Sequence, residues 1–212
     1  MKYSFGNRQQ PWGEFDEKQW NASRPRWKQV HGVKIHEVKA SHEECGEVDG
    51  LWTRNPDVPV TVITADCVPI LLYHTGEKAV AALHAGWRGT FAGIIPAFFS
   101  DLPSDLADPK SWSALIGPCI HACCYEVSAE LISDFLSKFP EIPHSKIEQS
   151  PRHLDLLEVN QFQLERLGVR VEFTHPECTF CTRQNGDPVY FSYRRGDRNS
   201  RQYSSIQISS IN

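Results

Sequence analysis

The chain has 212 residues, 40% of them hydrophobic and 11% aromatic, which is enough for a sizeable core in one domain or in two small halves that share a core. Its formal net charge is −4 and no basic run is longer than Arg194-Arg195, which argues against nucleic acid or an anionic membrane as the main partner. No apolar run approaches the ~20 residues of a bilayer span, and the N-terminus lacks the zones of a signal peptide, so we expect a cytoplasmic protein.

Residues 1–27 are predicted to form an N-terminal arm. Trp12, Trp20 and Trp27 alternate there with basic residues. A stacking platform for nucleic acid would have this composition, but we favour an extended arm that packs its aromatic rings on the domain or on a neighbouring subunit.

The segment up to residue 84 is predicted to be rich in strands. Residues 58–64 and 78–84 are β-branched or apolar over the length of a short strand. Cys67 and His84 therefore fall just past, or at, the ends of two predicted strands.

Helices and strands are mixed after residue 84. Residues 90–102 have the apolar spacing of a helix, which Pro96 interrupts or kinks. Ser128 can cap a helix that runs to Phe139, and Gly168 can end a helix that starts at Leu154. Strands are predicted at residues 112–116, 169–173, 189–193 and 203–208. Helices that lie between groups of strands without strict βαβ alternation predict an α+β fold.

Three residues have the chemistry of a metal site: His31, Cys67 and His84. Two neutral imidazoles and one thiolate suit zinc, and three protein ligands leave the fourth tetrahedral position open, as in a catalytic centre. They lie too far apart in the chain for a zinc finger, so the fold would have to bring them together. Taken singly, each is better explained as a core thiol or as a histidine bonded to a strand-end carbonyl, so the trio alone is only suggestive.

Short blocks that follow one another from residue 29 to the C-terminus form a more specific pattern. They lie at residues 29–32, 49–53, 64–70, 84–90, 116–120, 124–127, 154–156, 160–161, 178–179 and 191–195. In this order they resemble the YfiH-like family, also named laccase-domain proteins, polyphenol oxidases and peptidoglycan editing factors. The family binds zinc through the His of Gln-Val-His-Gly, the Cys of Ala-Asp-Cys and the His of His-Ala-Gly-Trp, which correspond to His31, Cys67 and His84.

The resemblance implies a layered α/β/β/α fold with mixed sheets, over a single domain 1–212 in which 1–27 is a variable arm. It implies phosphorolysis of adenosine, inosine or methylthioadenosine to base and ribose 1-phosphate, together with adenosine deamination. The expected partners are a purine nucleoside and phosphate, the expected oligomer a monomer or homodimer, and the expected cofactor Zn²⁺. Copper is less favoured, because copper-dependent phenol oxidation needs several copper centres. Cell-wall precursor editing, or another ligand-binding role, is the remaining alternative.

Four further residues are candidates for the chemistry. Arg88 lies in the turn after His84, where its guanidinium could hold phosphate beside the metal, although a structural arginine bonded to carbonyls explains it equally well. Asp66 could accept a proton or orient a ligand imidazole, with a turn-capping aspartate as the alternative. Asn7 and Arg8 stand where the family usually has a longer substrate-side segment, so we expect them to bind substrate.

The other cysteines suggest structural roles. Cys178-x-x-Cys181 could be a redox pair or half of a second metal site, but no second Cys-x-x-Cys faces it. We interpret it as a strand-edge pair, and the adjacent Cys123 and Cys124 as a packing feature at the start of a helix. In a cytosolic protein all seven cysteines are expected to be reduced thiols.

Overall fold

A computed structural model describes residues 1–76 and 78–209. In chain order, its strands are β1 (Lys2–Phe5), β2 (Arg26–Lys28), β3 (Ile35–Glu37), β4 (Glu44–Glu47), β5 (Gly50–Thr53), β6 (Val60–Thr64), β7 (Val68–His74), β8 (Val80–Ala85), β9 (Trp112–Ile116), β10 (Glu148–Ser150), β11 (His153–Leu154), β12 (Arg170–Thr174), β13 (Arg183–Gln184), β14 (Asp187–Pro188) and β15 (Gln202–Gln207). Its helices are α1 (Glu17–Asn21), α2 (Trp87–Ala92), α3 (Ile94–Asp101), α4 (Ala129–Lys138), α5 (His144–Ile147) and α6 (Leu156–Leu167), with a 3₁₀ turn at Pro109–Ser111.

Two sheets form the centre of the fold. The larger has the strand order β12-β9-β7-β8-β5-β3, with antiparallel pairs in the middle and a parallel pair at each edge. The smaller is antiparallel, with the order β1-β15-β6. The larger sheet is therefore mixed, as the resemblance implies.

The core has two parts, one on each face of the larger sheet. Helices α2 to α6 pack on one face, where Phe98, Phe135 and Trp112 are fully buried. The smaller sheet packs on the other face, where Val62 and Ile206 meet side chains such as Leu71. Because each sheet alternates its side chains between faces, the smaller sheet also needs a cover on its outer side.

The N-terminal arm supplies that cover. The Nε1 of Trp20 in α1 donates a hydrogen bond of 2.9 Å to the Oγ1 of Thr61 on β6. Trp12 stacks on Tyr203 of β15 with ring centroids 3.7 Å apart. With α1 outside the smaller sheet, the layers are α/β/β/α, which confirms the predicted fold class. No helix among the described residues has the length and apolarity needed to cross a membrane.

Most predicted elements are present, and three predictions need correction. The helix predicted from Leu154 begins at Leu156, because Leu154 belongs to β11 and Asp155 caps the helix. Residues 90–102 do not form one helix kinked at Pro96, because α2 ends at Gly93, which takes a left-handed φ of 89° and starts α3. Residues 189–193 are not a strand. Side chains bond two of their backbone groups: Phe191 N–H donates to Gln202 Oε1, and Tyr190 C=O accepts from Arg195.

Candidate metal centre and its cavity

His31, Cys67 and His84 come together in the structure, and we call them the His₂Cys centre. One ligand atom of each lies within 4.8 Å of those of the other two. The register of β7 and β8, in which Pro69 pairs with His84, places the turn that holds Cys67 beside His84. His31 joins them from the loop between β2 and β3. His84 is buried and His31 is exposed, so the centre is held from the core and open to one side.

Asp49 holds two parts of this centre. Its carboxylate accepts hydrogen bonds from the backbone N–H groups of His31 at 2.8 Å and Gly32 at 2.7 Å. Its Oδ1 also lies 2.8 Å from Nδ1 of His84, so the other ring nitrogen of His84 is left for a metal. His31 has a left-handed φ of 63°, a strained backbone conformation that the bonds to Asp49 stabilise. Sequence reasoning missed Asp49, although it begins the block at residues 49–53.

The electrostatics of the centre favour a thiolate. Burial alone would raise the pKa of the Cys67 thiol, but His84 and a hydrogen bond from His31 lower this pKa to about 6. Burial alone would lower the pKa of His84, but Cys67 and Asp49 raise it to about 9. A thiolate is the form of cysteine that binds metals, and this donor set fits zinc.

Gly86 lets the chain pass close to the centre. A Cβ at this position would lie 3.0 Å from both Cys67 Sγ and the Cδ2 of His31. Any larger residue would therefore press on two of the three ligands. The block His-Ala-Gly-Trp thus combines one ligand with the space that the other two need.

A cavity of about 600 Å³ opens beside the centre, a volume typical of small-molecule sites. Its walls combine aromatic and apolar side chains with three arginines. They are lined by Trp27, Gln29, His31, Ile63, Thr64, Ala65, Asp66, Cys67, His84, Trp87, Arg88, Ile120, Tyr125, Leu156, Tyr193, Arg194 and Arg201.

Two polar groups of the cavity have no partner of their own. The exposed guanidinium of Arg88 lies 4.4 Å from the ring centroid of Trp87, and it forms no hydrogen bond or ion pair within the described part of the chain. The hydroxyl of Thr64 is buried and likewise has no hydrogen-bond partner among the described residues. Burial raises the pKa of Tyr125 to about 12, so its hydroxyl is a hydrogen-bond donor at neutral pH. These groups are available to a ligand, and the sequence singled out only Arg88.

Asp66 lines the cavity but bonds to other loops. It accepts hydrogen bonds from Thr179 Oγ1 at 2.7 Å, Ser192 Oγ at 3.0 Å and the backbone N–H of Arg194 at 2.8 Å. The ligand imidazole that we expected Asp66 to orient is bonded by Asp49 instead. Asp66 therefore positions the two loops that carry Thr179 and Arg194.

Asn7 and Arg8 lie outside the cavity lining. The side chain of Asn7 accepts from the N–H groups of Gln9 and Gln10 in its own turn. Arg8 forms a 2.6 Å ion pair with Asp197 and lies over the ring of Phe191. Within the arm, Trp27 lines the cavity, whereas Asn7 and Arg8 do not.

Fold and site together define a mixed α/β protein with a candidate Cys/His metal site in the wall of a large cavity. The chain belongs to the family described as multi-copper polyphenol oxidoreductase laccase, whose model matches residues 14–209.

Named relatives and solved structures agree with this assignment. The chain is 30% identical over 189 residues to the purine nucleoside phosphorylase YfiH of Shigella flexneri, covering 88% of this chain and 74% of that protein. It is 35% identical over 169 residues to a purine nucleoside phosphorylase of Streptomyces coelicolor, covering 79% and 67%. The crystal structure of YlmD from Geobacillus stearothermophilus matches with a TM-score of 0.77 and 31% identity, covering 90% and 75%. The resemblance to the YfiH-like family is thus confirmed.

Proposed function

We propose that this protein is a zinc-dependent purine nucleoside phosphorylase. The observation that carries the proposal is the juxtaposition of a His₂Cys centre, open on one side, with a cavity in which the charge of Arg88 is unpaired. Relatives at 30% and 35% identity are named for this activity. We further propose a cytoplasmic location, since all seven cysteines are free thiols.

The donor set favours zinc over the copper of the family's name. Zinc is commonly bound by histidine and cysteine, and a catalytic zinc has three protein ligands. The other Cys/His/Asp/Glu group that could bind a metal among the described residues consists of four cysteines. Several histidine-rich copper centres, which phenol oxidation would need, are therefore not available in the described part of the chain. When bound, zinc would supply Lewis-acid polarisation of an oxygen ligand.

The cavity side chains divide the remaining work. Arg88 would hold a phosphate dianion, because a guanidinium can donate two parallel hydrogen bonds to its oxygens. Trp87, Tyr125 and other apolar walls would bury the purine, and the Thr64 hydroxyl would bond a polar group of the nucleoside. Bound in this way, phosphate and the sugar carbon would be held in reach of each other, which is itself a large part of catalysis.

Adenosine deamination is the less favoured activity. It requires an acid to carry a proton to and from the purine. The one carboxylate that lines the cavity among the described residues belongs to Asp66, and it already accepts three hydrogen bonds. We therefore propose phosphorolysis as the main reaction.

The test is an assay of the zinc-loaded protein with adenosine, inosine and methylthioadenosine, each with and without phosphate. Chromatography should detect free base only when phosphate is present, together with ribose 1-phosphate from adenosine and inosine and 5-methylthioribose 1-phosphate from methylthioadenosine. Inosine formed from adenosine without phosphate would report deamination. If none of the three nucleosides releases base in phosphate, the proposed function is wrong.

Replacing Arg88 by alanine should weaken phosphate use about 12- to 140-fold, the effect of losing about 1.5–3 kcal/mol from a charged hydrogen bond. The measurement is the KM for phosphate, with the Kd of the nucleoside determined on the same sample. Arg26→Ala, which removes an exposed arginine paired with Glu44, is the matched control. An equal loss of nucleoside binding and phosphate use would mean that Arg88 only shapes the cavity.

Replacing Thr64 by valine should weaken nucleoside binding about 2- to 12-fold, because it removes one neutral hydrogen bond of about 0.5–1.5 kcal/mol and keeps the shape. The free energy of unfolding should not fall, since the hydroxyl has no partner within the described residues. Thr61→Val on the same strand is a control for which the opposite result is expected. Its hydroxyl bonds Trp20 and Ser205, so that variant should lose stability and keep its affinity for nucleoside.

A further inference from the structure

Four cysteines outside the cavity form a second group with metal-binding chemistry. Cys123, Cys124, Cys178 and Cys181, here called the tetracysteine cluster, have sulfur atoms that all lie within 4.8 Å of one another. The sequence suggested a lone Cys-x-x-Cys and an unrelated adjacent pair. The structure places the adjacent pair in the turn that faces the Cys-x-x-Cys loop, so the missing half of a four-thiol site is present.

The sulfur separations fit a tetrahedral metal. A tetrahedron with zinc–sulfur bonds of about 2.3 Å has sulfur atoms about 3.8 Å apart. Cys123 Sγ lies 3.5 Å from Cys124 Sγ and 3.9 Å from Cys181 Sγ. Disulfide-bonded sulfurs would be about 2.05 Å apart, and all four cysteines are free thiols.

Backbone contacts hold the two loops in this arrangement. Cys119 and Cys178 form a parallel β-bridge, and Thr179 N–H donates to Cys119 C=O at 2.9 Å. Cys178 Sγ accepts the N–H of His121 at 3.4 Å. An N–H donor directed at a sulfur stabilises a thiolate, the form that a metal requires.

Positive charge lies next to the Cys-x-x-Cys loop. Arg183 Nη1 donates to Phe180 C=O at 2.8 Å, and Arg195 Nη1 donates to Phe180 C=O at 2.9 Å. Four thiolates around a divalent cation carry a net charge of −2, which the guanidinium of Arg183 would partly offset. Arg195 is already paired with Asp197 at 2.8 Å. Cys178 is buried while Cys123 and Cys181 are exposed, so an ion can reach the cluster from the surface.

We propose that the tetracysteine cluster is a second, structural Zn²⁺ site, separate from the His₂Cys centre. Four protein ligands close the coordination shell, as in structural zinc sites. The ion would join the loop that carries Tyr125 to the loop that leads to Tyr193 and Arg194, all three of which line the cavity. These loops have little regular secondary structure, so a cross-link between them would stabilise the cavity wall.

Cobalt(II) titration of a variant without the first centre tests this proposal. The double variant Cys67→Ser/His84→Ala removes two of the three ligands of the His₂Cys centre and leaves the cluster intact. Under reducing conditions it should still bind one equivalent of cobalt, with near-UV thiolate-to-cobalt bands that cannot come from Cys67. Unmodified protein should bind two equivalents, and zinc should displace both.

Changing the cluster should remove one equivalent selectively. Cys178→Ser/Cys181→Ser should bind one cobalt instead of two, whereas Cys45→Ser, which removes a core cysteine outside both groups, should bind two. A Cys178→Ser/Cys181→Ser protein that binds as many equivalents as the unmodified protein would overturn the proposal. So would a Cys67→Ser/His84→Ala protein without thiolate bands, a result that does not depend on whether the cluster variants fold. Thiols of the cluster that react with an alkylating agent equally fast with and without zinc would also contradict it.

Discussion

Replacing Asp49 by alanine is expected to lower the metal affinity of the His₂Cys centre by about 10- to 100-fold, although Asp49 is not itself a ligand. Its carboxylate fixes the backbone of His31 and the ring of His84 at the same time. Without it, the left-handed conformation of His31 loses its main hydrogen bonds and His84 can rotate. The variant should also lose about 1–3 kcal/mol of stability, because the buried Nδ1 of His84 is left without its hydrogen-bond partner.

Metal affinity and stability separate this role from a general loss of structure. Metal affinity is measured by competition with a chromophoric chelator, and stability by urea denaturation. Asp49→Asn keeps the size of the side chain and removes its charge, so it should lie between the native protein and Asp49→Ala in both measurements. Thr53→Val in β5, the strand that follows Asp49, removes a buried hydrogen bond to Val38 C=O and one accepted from Asn55 N–H. It should lower stability and leave metal affinity unchanged, and an equal fall in affinity would mean that Asp49 acts only through the fold.

The sequence predicted features that depend on local chemistry. Ser128 and Gly168 cap α4 and α6 as expected, because capping depends on residues within one turn. His31, Cys67 and His84 were identified through blocks whose order resembles a family. Periodicity alone could not place them together, since that requires the register of β7 with β8.

Features that depend on long-range pairing were missed. Asp49 meets His84 because β5 pairs with β8 in a register that sets Gly50 opposite Leu83. Cys124 and Cys178 come close through the bridge at Cys119. Neither pairing leaves a periodic signal in the chain.

Removal of residues 1–24 is expected to unfold the protein rather than to open its cavity. β1 pairs with β15 along four residues of the smaller sheet, and Trp20 is only 1% exposed. Loss of a buried tryptophan side chain alone costs about 3–5 kcal/mol, while a whole domain is stable by about 5–15 kcal/mol. The deletion would also expose one edge of β15 and the outer face of the smaller sheet, which favours aggregation. We therefore propose that residues 1–27 are an integral part of a single domain 1–212.

Trp20→Ala makes the same test in a protein that should still fold. It is expected to lower the free energy of unfolding by about 3–5 kcal/mol and the Tm by roughly 10 °C. Thermal unfolding measures the loss of stability. Metal content and nucleoside affinity, measured below the transition, should both be unchanged, because Trp27 is the first of the described residues that lines the cavity. Asn7→Ala should likewise keep its affinity for nucleoside. A Trp20→Ala protein with native Tm and weakened nucleoside binding would instead make the arm a wall of the substrate site.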